Sequence, residues 1–276
     1  MEDGEIAPFV SILYPPSSIF YPPSSPLPHV RFLPSAGAPD NVPSMSSWPL
    51  AVLFDFDGVL VNSEPLHFFA FQETLEAEKI KLTEAEYYQE LLGFDDRGAF
   101  QHIFAMHDRE LDPKTSLRVM TRKSEIMMDL IQRRKLEPLP GVEEFVRGLW
   151  RHCPLGICSG GLREEIEAML EWVALRDCFA VIVAAEDVDV GKPDPRGYTL
   201  TARLLSEKSK RPLKPSECLI VEDAPTVIQA VKTLGYPTLG VATSFSVERL
   251  ADADYAVQSL RPEEVVKKIP SLSSIF

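Results

Sequence analysis

The 276-residue sequence contains no run of about 18 uninterrupted apolar residues, so it offers no membrane-spanning helix. Positive charge is also scarce: 28 lysines and arginines face 41 aspartates and glutamates, a formal net charge of −13. That balance argues against a nucleic-acid partner, because binding a phosphate backbone requires a basic face that releases counterions. A small anionic substrate is still accommodated, since it needs one local positive site. Cysteine is sparse too. Cys153, Cys158, Cys178 and Cys218 lie apart, without CxxC spacing or a disulfide framework, which fits a reduced, cytoplasmic setting. Cys158 and Cys218 stand in apolar runs and read as buried structural thiols.

What is present divides unevenly along the chain. Eleven of the 24 prolines precede residue 50, and Tyr14-Pro-Pro-Ser-Ser is echoed by Tyr21-Pro-Pro-Ser-Ser. Frequent proline removes backbone donors and fixes φ, so residues 1–47 are expected to be a disordered tail. This tail has too few basic residues for a transit peptide and no continuous signal-peptide core. A ligand for a proline-reading domain is its functional alternative, and Met45 is a possible true start.

From Leu50 the pattern is α/β. Leu50–Phe56 is a continuous apolar run ending in acids, as expected for a buried parallel strand. A helix-rich stretch follows to about Lys135, and Pro138-Leu-Pro-Gly141 punctuates the chain. Short apolar runs then alternate with amphipathic stretches: Leu155–Cys158, Val181–Val183, Cys218–Val221 and Thr238–Val241. Strand–helix alternation predicts a doubly wound parallel sheet. The expected core is 48–64 plus 136–276, with a helical cap at 65–135 inserted after the first strand.

Ligands bind at the carboxyl ends of the strands in such sheets. Strand one ends in Asp55-Phe-Asp57-Gly58 and strand two in Cys158-Ser159-Gly160-Gly161. Gly191-Lys192-Pro193 follows strand three, and strand four ends in Glu222-Asp223. Four carboxylates, one hydroxyl and one ammonium are thus expected on one rim. Singly, each motif has a plain explanation as a turn, loop or surface lysine. Together, behind apolar strands, they point to chemistry.

These residues, in this order and with a helical insert after the first motif, resemble the four motifs of the haloacid dehalogenase superfamily. The resemblance covers nearly everything after residue 50. The cap position is similar to that of the subfamily containing β-phosphoglucomutase and many sugar-phosphate phosphatases. It implies a Rossmann-like core and Mg²⁺-dependent phosphoryl transfer on a small phosphorylated metabolite. Asp55 would be the nucleophile, held in line by the strand terminus. Asp57 would protonate the leaving oxygen and then deprotonate the acceptor, with Gly58 permitting the turn between them. Ser159, nearby amides such as that of Gly160, and Lys192 would hold the phosphoryl group. The same resemblance implies Mg²⁺ ligation by Asp55 and Asp223 side chains and by the Asp57 carbonyl, with Glu222 a further ligand.

Three cap residues extend the likeness to β-phosphoglucomutase. His67 stands where a histidine assists the acid/base aspartate, Arg97 where an arginine grips a distal phosphate, and Lys123 where a lysine faces the sugar. The alternatives are a helix-face histidine and two solvated charges. Departures from the mutase are Ala224-Pro225 after the acidic pair and Gly161 in place of a polar phosphate-binding residue. Asn62 stands where an acid is frequent. Asp57 disfavours carbon–halogen and phosphonate cleavage, whose superfamily enzymes lack it. The expected activity is a phosphatase, with a phosphomutase as rival. A receiver-like phospho-acceptor and an inactive binding protein are more distant rivals.

Overall fold

The structure, a computed structural model, describes residues 48–91, 94, 96–133 and 137–276. The proline-rich segment and Met45 lie outside the described residues. Six strands form one sheet: β1 (Ala51–Phe54), β2 (Leu155–Cys158), β3 (Phe179–Val183), β4 (Cys218–Glu222), β5 (Thr238–Val241) and β6 (Tyr255–Val257). Their order is β3-β2-β1-β4-β5-β6, and every neighbouring pair is parallel. The strand order reverses between β1 and β4, where open α/β sheets place their ligand crevice.

The first five strands match apolar runs visible in the sequence, because a strand covered on both faces needs no polar residues. Within β1 the alternation sorts residues between two cores. Val52 and Phe54 join one cluster with Phe145, Leu149 and Leu170; Ala51 and Leu53 join the other with Tyr198, Leu205 and Val231. The sixth strand was not foreseen. Tyr255–Val257 is only three residues long, too short for a periodic signal, and its pairing with β5 alone makes it a strand.

Between β1 and β2 run α1 (Glu64–Ala77), a single turn α2 (Glu84–Glu86), α3 (Asp96–Met106) and the long α4 (Pro113–Arg133). The helices α1–α4 enclose their own apolar cluster, with Phe71, Leu75, Phe100, Phe104 and Val119 buried in it. Helix α4 serves both regions: Val119 enters that cluster, whereas Met127 and Ile131 enter the sheet-side core. The outgoing and returning chains lie side by side at the Val61–Pro138 bridge, with Leu139 N–H donating to Leu60 O at 3.0 Å. Then α5 (Val142–Trp150) leads into β2. The remaining helices, α6 (Arg163–Trp172), α7 (Arg196–Ser209), α8 (Pro225–Lys232) and α9 (Pro262–Lys268), cover the sheet. Among the described residues, no helix is long and apolar enough to cross a membrane.

Candidate active site

Asp55 follows β1 directly, and its N–H prolongs the ladder to Val221 O at 2.9 Å. The chain then turns tightly: Leu60 N–H donates to Phe56 O and Gly58 N–H to Val61 O, each at 2.8 Å. Gly58 has φ +74°, and a Cβ there would overlap the Asp223 carboxylate and stand 2.9 Å from Ser244 Oγ. Both the left-handed backbone and the close approach require glycine. This turn delivers Asp57 beside Asp55.

Lys192 lies on the loop ahead of α7. Its Nζ donates to Asp55 Oδ1 at 2.5 Å, to Glu222 Oε1 at 2.7 Å and to Tyr198 OH at 3.3 Å. Burial opposes its charge, but Asp55 and Glu222 outweigh that and raise its pKa. Tyr198, buried on α7, also donates to Glu222 Oε1 at 3.2 Å. The other oxygen, Oε2, accepts from the Asp223 and Ala224 N–H groups, both at 2.8 Å. Glu222 therefore accepts four hydrogen bonds, the full complement of a carboxylate.

Asp57 is held from two sides. Ser63 donates to its Oδ1, and Ser159 Oγ lies 3.5 Å from its Oδ2 while accepting from Gly161 N–H at 3.0 Å. Burial raises the Asp57 pKa and the Ser63 bond counters it. Gly160 is exposed beside Ser159, with open space where a Cβ would be.

Burial and carboxylate crowding together set the electrostatics of the rim. Burial, with Glu222, Asp223 and Asp57 adding and Lys192 opposing, pushes Asp55 well above the usual carboxylate range. Burial and Glu222 push Asp223 up to about 7, against a hydrogen bond from Ser244. Oxygen atoms of Asp55, Glu222 and Asp223 lie within 4.8 Å of one another. Hard, buried oxygen donors in excess of one lysine fit a divalent cation such as Mg²⁺, which would let all of them ionise.

The cap-derived candidates divide. His67 (α1) and Lys123 (α4) come together, with Lys123 Nζ donating to His67 Nδ1 at 3.0 Å. Since an ammonium only donates, His67 carries its proton on Nε2. Burial, reinforced by Lys123, holds the imidazole well below its ordinary pKa. Lys123 is not a solvated charge: it has no exposed surface and pairs with Asp96 Oδ2 at 2.9 Å. Arg97, one residue on, is exposed at the start of α3. Ser63, Tyr198, Ser244, Asp96 and Glu165 were missed from sequence. Ser63, Glu165 and Tyr198 each stand six residues after a motif residue (Asp57, Ser159 and Lys192), but nothing in the sequence marks them out.

Comparison with known proteins agrees with this geometry. The family model for haloacid dehalogenase-like hydrolases matches residues 52–241. A validoxylamine A 7'-phosphate phosphatase of Streptomyces hygroscopicus subsp. limoneus is 27% identical over 219 residues, 75% of this chain and 92% of that protein. The β-phosphoglucomutase of Bacillus subtilis is also 27% identical, over 69% of this chain and 82% of its own. Among solved structures, CbbY from Rhodobacter sphaeroides in complex with phosphate superposes with a TM-score of 0.67 at 25% identity. The match covers 77% of this chain and 95% of that one. The six-stranded parallel core, its strand-end carboxylates and the match over residues 52–241 establish that the chain belongs to the haloacid dehalogenase-like hydrolases.

Proposed function

We propose that the protein is a Mg²⁺-dependent phosphatase that hydrolyses a small phosphorylated metabolite, a sugar phosphate, through an aspartyl phosphate on Asp55. The observation that carries this reading is the Asp55–Asp57 pair at the end of β1, with Lys192 pinning the first carboxylate and Ser63 and Ser159 orienting the second. A carboxylate oxygen of Asp55 attacks phosphorus while the phosphorus–oxygen ester bond breaks, and Asp57 gives its proton to the departing oxygen. Asp57 then takes a proton from water, whose oxygen attacks phosphorus and releases inorganic phosphate and the Asp55 carboxylate. Lys192 and the Ser159 hydroxyl supply positive charge and a donor for the phosphoryl oxygens, and Gly160 leaves room for them.

Asp55, Asp223 and the Asp57 carbonyl would hold the Mg²⁺, which when bound neutralises the carboxylates and the transferring phosphoryl group. Glu222 fits a supporting role, because Lys192, Tyr198 and two amides already occupy its lone pairs. Water is favoured over a second sugar hydroxyl as acceptor. A mutase must grip a second phosphate, yet Gly161 offers no side chain for it. The Arg163 guanidinium is committed to Asp187 and to Ile182 O, and Glu186 caps Arg163 N–H at 3.1 Å. His67 and Lys123 would face the organic moiety, and Arg97 would meet it as the cap approaches.

Phosphate release from a panel of phosphorylated metabolites, with Mg²⁺ and with chelator, tests the reading. Mg²⁺-dependent turnover is expected, falling on the order of 10⁴-fold or more in Asp55→Asn. Unchanged Mg²⁺-dependent activity in that variant would sink the mechanism. Isomerisation of β-glucose 1-phosphate with a bisphosphate primer, without phosphate release, would establish the mutase instead.

A further inference from the structure

Tyr198 stands beside the reacting groups but has no part in the reaction proposed above. It lies in the first turn of α7 and has no exposed surface. Its ring packs with Ala51 and Leu53 of β1, Cys158 of β2 and Ile220 of β4, so the sheet fixes its position. Gly197 permits this close approach, because a Cβ there would stand 2.8 Å from Cys158 Sγ. The hydroxyl end of the ring reaches the rim, where its partners are charged.

A phenol hydroxyl donates one hydrogen bond and can also accept. Here the proton goes to Glu222 Oε1 at 3.2 Å, which leaves the oxygen's lone pairs to accept from Lys192 Nζ at 3.3 Å. Burial, with Glu222 and Asp55, raises the phenol pKa, so the hydroxyl keeps that proton. The same ammonium lies 5.1 Å from the centroid of the Tyr198 ring, within cation–π range. Lys192 thus has three acceptors for its three protons: Asp55 Oδ1, Glu222 Oε1 and the tyrosine hydroxyl. The carboxylates hold it by charge, whereas Tyr198 holds it by a dipole and a π face. The distinction matters because the lysine side chain is 19% exposed and has a path to water. A divalent cation on Asp55 and Asp223 would take up carboxylate charge and repel the ammonium. The hold of a neutral tyrosine does not depend on that charge.

We propose that Tyr198 is a positioning residue that keeps the Lys192 ammonium seated against Asp55 in the metal-loaded enzyme. It acts through Lys192 and touches no reacting atom. Its effect on turnover rests on the phosphatase reading; the seating of Lys192 can be measured without turnover.

The test is a double-mutant cycle of wild type, Tyr198→Phe, Lys192→Met and the double variant, with Mg²⁺ and the best substrate of the metabolite panel. Tyr198→Phe keeps the ring in the core and removes only the hydroxyl, and urea unfolding verifies that the fold is retained. Its kcat should fall about tenfold with KM changed less than about twofold. In the Lys192→Met background the same substitution should change kcat less than about twofold. Equal losses in both backgrounds would mark a residue acting through packing or through Glu222 and overturn the proposal, as would no loss in either. A second measurement follows the lysine itself. Lys192 should give a slowly exchanging ammonium signal in ¹H–¹⁵N spectra of the Mg²⁺-loaded protein, identified by its loss in Lys192→Met. Its proton exchange should accelerate about fivefold or more in Tyr198→Phe. Absence of the signal from wild type, or an unchanged rate in the variant, overturns the proposal. Accelerated exchange in a protein that turns over no substrate would leave the seating of Lys192 standing and remove the phosphatase reading. Turnover with unchanged exchange would do the reverse.

Discussion

The strand-end rim and the helical cluster around Lys123 each place one lysine between two carboxylates, but they do so with different tightness. At the rim, Lys192 meets Asp55 at 2.5 Å and Glu222 at 2.7 Å, and two further carboxylates crowd the same space. At the second site, Lys123 meets Asp96 at 2.9 Å but Glu165 only at 3.8 Å, and its other close partner is a neutral histidine. The rim is over-supplied with negative charge and fits a cation; the second site holds fewer carboxylates, one of them at longer range. Chemistry requires the first condition, since a crowded carboxylate can be both nucleophile and ligand.

Replacing each lysine by methionine should break this comparison open. Lys192→Met leaves Asp55 and Glu222 buried without their counter-ion, an expected loss of about 3–5 kcal/mol in metal-free urea unfolding. Its kcat should fall roughly 10²- to 10³-fold, as when one stabilising charge is removed from a transition state. Lys123→Met removes one close ion pair, and Glu165 can take up a proton near neutrality, so about 1–3 kcal/mol is expected. Equal costs at the two sites would show that the second cluster holds the fold as firmly as the first.

A smaller change sharpens the steric side of the contrast. Gly58→Ala forces an L-residue into φ +74° at a cost of about 1–2 kcal/mol. Its methyl also displaces the Asp223 carboxylate. Mg²⁺ affinity, read from the Mg²⁺-induced shift in Tm, should drop about tenfold or more. An unaltered Mg²⁺ shift would mean that the carboxylate can move aside freely.

The smallest effect concerns pH. Burial and Lys123 keep His67 neutral in the folded state, whereas the unfolded chain takes up the proton near pH 6.5. Below that value the unfolded state binds more protons, so stability due to His67 is lost as the pH falls. The stability advantage of wild type over His67→Gln should therefore shrink between pH 7 and 5, by at most about 1.4 kcal/mol per pH unit. A constant difference in urea titrations would show that the folded imidazole protonates normally.

The two regions also differ in how much of them could be read from sequence. Asp55-Phe-Asp57-Gly58 and Glu222-Asp223 are local groupings, each behind an apolar run that announces a buried strand. A strand end fixes where its residues emerge, so neighbours in sequence stay neighbours in space. The helical cluster has no such bookmark. Its members His67, Asp96, Lys123 and Glu165 come from α1, α3, α4 and α6, and nothing periodic links them. Tyr198 and Ser244 were hidden for the same reason: each touches a rim carboxylate from an element distant in sequence. The short edge strand β6 escaped notice because three residues carry too little pattern.

The sequence by itself determined the alternation of buried strands and helices, the insertion after β1 and the acidic residues at the strand ends, because these follow from local periodicity and from where apolar runs stop. Tertiary structure alone decided that Lys192 spans Asp55 and Glu222, that Glu222 has its lone pairs filled, and that Lys123 is buried with one acceptor just out of reach. Those are distances between residues 24 to 137 positions apart, or between a side chain and its own backbone turn. Only the packing of helices on the sheet sets them.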